Sequence, residues 1–373
     1  MPDYTGTMPD APPHRAAATL AVIWCGVTLL LASGAASIPG GAPSPWSASD
    51  TAQAPPLARF DAGWYRTIAL QGYADPGAAR FYPLQPLVAG ALSRFTRIPF
   101  FEAATGLSLA CVVFAAIAFV SLLPRETAGV AAAPLAALLF YPTSFFLAAP
   151  TSDALFLFSV AATLGAARQR RWTLAGIAGA AAALTRAHGF LLALALAAAP
   201  APDGSNTRSS RARWIAAGAV LVAGALFPLF IGRRFGDPTL AWRAPEGSGA
   251  PLWRLPLEVF REATHRLREP GAGGKLVFVM AIGSLLLFAV LAAVAWRRGD
   301  RPGALFSIAA LFFLLARGSL HGMHREVLAL LPCYPALANG MLRRAPIAFT
   351  YVLAGVGLGV LLLVRFVLWI PIE

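Results

Sequence analysis

The sequence contains few charged residues. Only 13% of its 373 residues are Asp, Glu, Lys or Arg, and 58% are hydrophobic, whereas a soluble domain carries about 25% charged residues. A water-soluble globule needs more polar surface than this composition supplies. The shortage of charge therefore excludes a soluble enzyme, a disordered protein and a coiled coil, and it predicts an all-α, polytopic membrane protein.

Cysteine and acidic residues are also scarce. Cys25, Cys111 and Cys333 lie far apart in apolar segments, so we expect neither a zinc site nor a disulfide. The 30 Lys and Arg outnumber the 17 Asp and Glu, which gives a net charge of +13. In a soluble protein this excess would indicate nucleic-acid binding. Here the arginines cluster between apolar runs, which predicts cytoplasmic loops and no nucleic-acid partner.

Long apolar runs predict a single domain, residues 1–373, that is a bundle of about eleven transmembrane helices. A spanning helix needs about 20 apolar residues, and shorter ones fit inside a bundle. The run 172–200 is interrupted at Arg186 and is interpreted as two short helices that meet there; one tilted helix is the alternative. The predicted apolar runs are 16–38, 101–123, 127–141, 151–167, 172–200, 214–231, 276–296, 303–319, 327–340 and 346–370.

Arginine clusters orient this bundle. They lie near residues 168–171, 208–213, 297–301 and 343–344, and positively charged loops face the cytoplasm. The N-terminus is then inside, and the outer segments are 39–100, 142–152, 186–189, 232–275 and 320–326. The first span is followed by the outer loop 39–100, central spans in 101–231, a second outer loop at 232–275 and C-terminal spans in 276–370. The high Ala and Arg content predicts a bacterial plasma-membrane protein.

The first outer loop contains interfacial elements. Residues 39–56 are rich in Pro, Ser and Ala and predict a flexible connector. Residues 59–69 predict a helix at the outer membrane surface. The aromatic and apolar face of this helix comprises Phe60, Trp64, Tyr65 and Ile68. The stretch 82–98 predicts a second interfacial or re-entrant helix.

Three charged residues, Asp61, Asp153 and Arg186, border the outer ends of predicted helices. Each acid either stabilises the first turn of its helix or acts in a site, because an ionisable group beside an apolar span is a functional candidate. Inserting Arg186 among apolar runs costs about 2.5–3.5 kcal/mol on insertion scales, so it needs an anionic partner. That partner is either Asp153 or a phosphate, which a guanidinium binds through several hydrogen bonds.

The segment between the last spans contains His321, His324 and Arg325. Two histidines without a third ligand are weak evidence for a metal, so no metal is predicted. Arg325 either meets an anion or extends to the membrane surface. The second outer loop contains a predicted amphipathic helix, 252–268, whose mixed charges indicate a solvated face. No Walker loop, dinucleotide fingerprint or Ser-His-Asp pattern occurs, and no cofactor is predicted.

Five sequence elements, in order along the chain, resemble the PIG-V-like mannosyltransferases, which are GT-C-type membrane glycosyltransferases related to the second mannosyltransferase of GPI-anchor synthesis. They cover most of the chain. Asp153 stands where that family has Glu, and Glu326 stands where it has an aromatic residue. The elements are Arg59-Phe60-Asp61-Ala62-Gly63-Trp64-Tyr65 with Gly72-Tyr73, Phe81-Tyr82-Pro83-Leu84-Gln85-Pro86, Tyr141-Pro142 with Ser152-Asp153-Ala154-Leu155-Phe156, Leu184-Thr185-Arg186 with Gly189, and Arg325 with Leu331-Pro332 and Pro335.

The resemblance implies a GT-C-like fold and transfer of a sugar, mannose in that family, from a polyprenyl-phosphate donor on the outer face. It implies Asp61 as the catalytic base, and Arg186 with Arg325 as the donor phosphate-binding residues. The acceptor is a lipid, a glycan or a protein. The remaining expected substrate-binding or orienting residues are Asp153, Trp64, Tyr65, Tyr82, His321 and His324.

A polytopic transporter or lipid flippase is the alternative function. Such proteins also contain membrane-embedded charges and broken helices, but they are commonly built from internal repeats with the site near the midplane. We find no repeat in this sequence, and its polar residues converge on one predicted side. A membrane scaffold without an active site leaves Arg186 unexplained. The sequence therefore favours the glycosyltransferase.

Overall fold

The computed structural model describes most of the chain. The described residues are 13–46, 54–123, 132–200, 207–243, 253–255, 258–261, 272–317, 320, 322–340 and 344–372. All regular secondary structure in these ranges is helical, and they contain no strand. This agrees with the predicted all-α class. The predicted helix 252–268 and His321 fall mainly or wholly outside the described residues.

The α-helices follow one another through short connections. The helices of the first half are α1 (Pro13–Ala36), α2 (Ala62–Gln71), α3 (Leu84–Thr96), α4 (Phe100–Val120), α5 (Ala132–Leu139), α6 (Asp153–Arg168) and α7 (Trp172–Ala183). Those of the second half are α8 (Leu192–Ala198), α9 (Thr207–Phe235), α10 (Ala272–Arg297), α11 (Arg301–Ala316), α12 (Met323–Glu326), α13 (Cys333–Gly340) and α14 (Ala345–Val367). Short 3₁₀ helices are Pro76–Arg80, Ser144–Leu147, Ala187–Leu191, Pro238–Ala241 and Val327–Ala329.

Five helices in the described ranges are long and apolar enough to cross a membrane. They are Pro13–Ala36, Phe100–Val120, Ser209–Phe235, Phe278–Arg297 and Ala345–Val367. Their outer faces are apolar as well: Leu30, Ile215, Val290 and Leu353 are each more than 60% exposed. A helix that is hydrophobic on every side is typical of a lipid environment. These features indicate a membrane protein, whereas a total of eleven spans stays a prediction.

The predicted run 327–340 is not one helix. Val327–Ala329 forms a 3₁₀ turn, and the following α-helix begins only at Cys333 and has eight residues. Pro332 lies between them and lacks the N–H that would continue the helix. Eight residues rise about 12 Å, well short of a bilayer core. The single-span prediction for this run is therefore wrong.

The run 172–200 is two helical segments, as the first of the two interpretations predicted. Helix α7 ends at Ala183, Arg186 is extended with φ −148° and ψ 151°, and a new helical segment begins at Ala187. Gly189 turns back against the end of α7, so closely that a Cβ on it would overlap the carbonyl oxygen of Ala182. The break places Arg186 at a helix junction.

The four central helices pack side by side, with α4 against α6, α6 against α7, and α7 against α9. At one end of this row Arg168 Nη2 lies 2.7 Å from Asp300 Oδ2, and Trp172 Nε1 donates to Ser209 Oγ at 2.9 Å. Three of the four predicted cytoplasmic connections thus meet at the same end. Their membrane side stays a prediction.

The first loop differs from its predicted lipid-facing arrangement. Its helices are α2 and α3, close to the predicted 59–69 and 82–98. However, Tyr65 and Ile68 are buried inside the protein, at 4% and 2% exposure, and the Trp64 ring stacks on Phe81 with 5.8 Å between centroids. Burial against other aromatic side chains replaces contact with lipid, because α3 and the turn Pro76–Arg80 fold over α2.

Candidate functional site

Asp61 immediately precedes α2 but does not cap it. Its side chain makes no capping hydrogen bond; instead its Oδ2 accepts from Arg325 Nη1 at 3.2 Å, and it is 33% exposed. The preceding Phe60 has φ +46°, a left-handed conformation that is strained for a bulky residue. Ring contacts of Phe60 with Phe366 and Trp369 accompany this conformation. The local backbone thus directs Asp61 away from its own helix and toward Arg325.

Asp153 lies at the centre of the charged cluster. Its side chain is 3% exposed and accepts hydrogen bonds from two guanidinium groups. Arg186 Nη2 lies 2.6 Å from Oδ1, and Arg325 Nη2 lies 2.7 Å from Oδ2, with Arg325 Nε at 3.0 Å from Oδ1. Thr151 Oγ1 also donates to Oδ2 at 2.6 Å. A buried carboxylate is tolerated when it is paired and hydrogen-bonded in this way.

All three nitrogens of the Arg186 guanidinium have protein partners. Beyond Asp153, Nη1 donates to Glu326 and Nε donates to Ser152 Oγ at 3.1 Å. The Tyr65 hydroxyl donates to the same Ser152 oxygen at 2.8 Å. Burial raises the pKa of Tyr65 to about 12, so the hydroxyl keeps its proton at neutral pH. Tyr65 therefore connects α2 to the Arg186 network.

Glu326 joins the cluster from a single helical turn. Gly322, with φ +71°, begins α12, in which Arg325 and Glu326 are adjacent. Burial opposes the charge on Glu326, but the Arg186 guanidinium outweighs it and lowers the pKa of Glu326. His188 Nε2 lies 3.9 Å from the Glu326 carboxylate. Burial lowers the pKa of His188 to about 4, so this histidine is neutral at physiological pH.

A cavity of about 210 Å³ opens beside the cluster. It contains Asp61, Arg186, Arg325 and Glu326, whereas Asp153 lies behind its wall. Its other polar and aromatic lining residues include Tyr65, Arg80, Tyr82, Ser152, His188 and Arg317. Polar groups that converge in one pocket are the usual mark of a ligand site. The cavity therefore defines the candidate functional site.

Two further cavities border Asp61. One of about 220 Å³ is mainly apolar and is also lined by Phe60, Phe146 and Arg325, where the Arg325 guanidinium lies 4.2 Å from the Phe146 ring centroid. The other, of about 500 Å³, is lined by Trp46 and Trp64. Asp61 thus lies where three spaces meet.

The sequence-predicted residues divide into those at this site and those away from it. Asp61, Tyr65, Tyr82, Arg186 and Arg325 line the main cavity, Asp153 supports two of them, and Trp64 faces the neighbouring aromatic cavity. His324 is 1% exposed and does not line any of these cavities. Within the described part of the chain, no group of three His, Cys, Asp or Glu side chains is arranged to hold a metal ion.

Sequence reasoning missed four residues of the site: Glu326, Ser152, Arg80 and Arg317. Glu326 was noted only as a departure from a family pattern, although an acid next to Arg325 was a signal that a second arginine needed a partner. Arg317 follows an apolar run, where an arginine is ordinarily read as extending to the membrane surface. Ser152 and Arg80 carry no distinguishing local pattern.

Comparison of the chain with protein-family models gives no match, and the curated proteins contain no match either. The argument for function therefore rests on the motifs and on the geometry of the cavity.

Proposed function

We propose that this protein is a membrane glycosyltransferase that moves a sugar from a polyprenyl-phosphate donor to an acceptor hydroxyl on the outer face of the membrane. One observation carries the proposal. The carboxylate of Asp61, from the first loop, lies 3.2 Å from Arg325, from the distant turn α12, at the edge of a cavity lined by further arginines. A proton acceptor beside cationic groups is what transfer from a sugar phosphate requires.

The reaction is an inverting substitution at the anomeric carbon. The acceptor oxygen forms a bond to C1 of the sugar while the bond from C1 to the phosphate oxygen breaks. The bonding electron pair goes to that oxygen, which leaves as the polyprenyl phosphate. Asp61 takes the proton of the acceptor hydroxyl as the new bond forms. Positive charge in the cavity stabilises the negative charge that develops on the leaving phosphate.

Other residues position this chemistry. Asp153 holds Arg186 and Arg325 in fixed orientations through the hydrogen bonds described above, which limits the reorganisation needed during reaction. Arg186 and Arg325 border the space for the phosphate, and Tyr65 and Tyr82 border the same cavity. Trp64 presents an aromatic side chain beside Asp61 in the 500 Å³ cavity, where an acceptor can approach the base.

The location of the cluster favours transfer over transport. Asp153 begins α6 and Arg168, paired with Asp300, ends it. A 16-residue helix is about 24 Å long, so the cluster lies near one end of the bundle. Transporters of the broken-helix type bind substrate near the membrane midplane. The donor is proposed to carry mannose, in keeping with the motif resemblance.

The decisive experiment assays purified full-length protein in lipid against a panel of polyprenyl-phosphate sugars with lipid, glycan and peptide acceptors. We expect transfer from at least one donor, and we expect Asp61→Asn to lower its rate by about 10²–10⁴-fold, the usual contribution of a general base. Arg66→Gln, on the same helix but outside the main cavity, is the matched control. Lipid translocation without any sugar transfer would replace the proposal with the flippase alternative.

A further inference from the structure

The two arginines assigned to the donor phosphate by motif are already engaged. Every guanidinium nitrogen of Arg186 donates to Asp153, Glu326 or Ser152. Every guanidinium nitrogen of Arg325 donates to Asp153 or Asp61. A phosphate that bound these groups alone would compete with carboxylates that the fold places within hydrogen-bond distance of them.

Charge balance leads to the same conclusion. Three carboxylates, Asp61, Asp153 and Glu326, surround the two guanidinium groups of Arg186 and Arg325, which leaves this cluster with one net negative charge. An anionic lipid phosphate is repelled by such a cluster, and the repulsion is strong where protein excludes water. The cavity needs additional positive charge to accept a phosphate.

Arg317 supplies that charge at the opposite wall. It follows the last residue of α11 and lines the same cavity. Its Nε donates to the Trp242 carbonyl at 2.9 Å and its Nη2 donates to the Arg243 carbonyl at 3.2 Å. Among the residues that the structure describes, no carboxylate lies within ion-pair distance of Arg317. Two neutral carbonyls orient the guanidinium without cancelling its charge.

We propose that Arg317 is the main phosphate-binding residue of the cavity, with Arg80 beside it, and that Arg186 and Arg325 chiefly position the carboxylates. This assignment rests on the proposed function, since it names the group that receives the donor phosphate. With Arg317 and Arg80 included, the cavity wall and the cluster behind it carry one net positive charge. The leaving polyprenyl phosphate gains negative charge as the glycosidic bond breaks, because a phosphate monoester carries about −1.5 to −2 at neutral pH. Arg317 therefore favours the product phosphate over the donor.

The test measures binding of farnesyl phosphate, a short polyprenyl phosphate without a sugar, to purified full-length protein in detergent. We expect Arg317→Gln to weaken the apparent Kd by about tenfold or more, as loss of a hydrogen bond between charged groups does. Arg317→Lys should retain most of the affinity because it keeps the charge. Farnesol, which lacks the phosphate, should bind equally to all three proteins. Arg168→Gln, at the other end of the bundle, is the control and should leave the Kd unchanged.

The outcomes separate this inference from the proposed function. If the unaltered protein binds farnesyl phosphate and Arg317→Gln binds it equally well, Arg317 only anchors the segment at Trp242 and the inference is overturned. Equal losses for the Gln and Lys variants would also assign Arg317 a structural role. If the unaltered protein binds farnesol but gains nothing from the phosphate, the polyprenyl-phosphate donor itself is wrong. Binding of inorganic phosphate measured in parallel shows how much of the affinity the prenyl chain provides.

Discussion

At the scale of single residues, Asp153 is the most constrained group of the site. Its buried carboxylate compensates two guanidinium groups that come from a helix junction and from a one-turn helix. Guanidinium groups in a low-dielectric interior are stable only while their counter-charge is present. Asp153 therefore contributes to the stability of the fold as well as to the geometry of the cavity.

We expect Asp153→Asn to lower the free energy of unfolding by about 3–5 kcal/mol, the cost of removing one partner from a buried ion pair. Thermal unfolding of the purified protein in detergent measures the change. The control is Arg168→Gln, because Arg168 and Asp300 are 37% and 23% exposed and such pairs contribute about 0–1 kcal/mol. Equal losses of stability in the two variants would contradict the central role of Asp153.

At the scale of secondary-structure elements, close helix contacts hold the outer part of the bundle together. Helix α14 approaches the end of α5 at Gly355, where a Cβ would overlap the carbonyl oxygen of Phe140. Gly357, two residues further along the same helix, has no atom within 4 Å of the position of its absent Cβ. The two glycines therefore have different reasons to be present.

This contrast predicts opposite effects of the same substitution. Gly355→Ala should destabilise the protein by about 1–3 kcal/mol, because an added methyl group in a closely packed contact forces a backbone shift. Gly357→Ala should be neutral or stabilise by up to about 1 kcal/mol, because alanine restricts the unfolded chain. Parallel thermal unfolding curves test the pair. A Gly355→Ala variant as stable as the unaltered protein would show that α14 is not held against Phe140.

At the scale of the whole molecule, the charged cluster and the connection containing Arg168 lie at opposite ends of the bundle. The predicted orientation puts the cluster outside and that connection in the cytoplasm. Ala74 and Gln169 are exposed at the two ends, and the native cysteines are buried. A single introduced cysteine can therefore report the side of each end.

Ala74→Cys should react in intact cells with a membrane-impermeant maleimide, and Gln169→Cys should react only after the cells are permeabilised. The reason is the preference of arginine-rich connections for the cytoplasm. The unaltered protein, labelled in parallel, controls for reaction of the native cysteines. Labelling of both introduced cysteines from the same side would overturn the orientation and place the cavity in a different compartment.

Sequence reasoning identified the separate members of the site better than their partners. Asp61, Asp153, Arg186 and Arg325 were named because charges are rare and costly beside apolar runs. The pairing of Arg186 with Glu326, 140 residues away, had no local signal. The single span expected for 327–340 failed because an apolar composition does not show that Pro332 interrupts the helix.

The sequence by itself determined that the chain is a helical membrane protein, because burial in lipid depends on the composition of each apolar run. It also determined which polar residues lie at the ends of those runs. Only the tertiary structure decided which charges meet, since Asp61 and Arg325 are 264 residues apart and their contact depends on how α2, α6 and α12 are packed. That packing turns scattered charges into one cavity and leaves Arg317 without a carboxylate partner among the described residues.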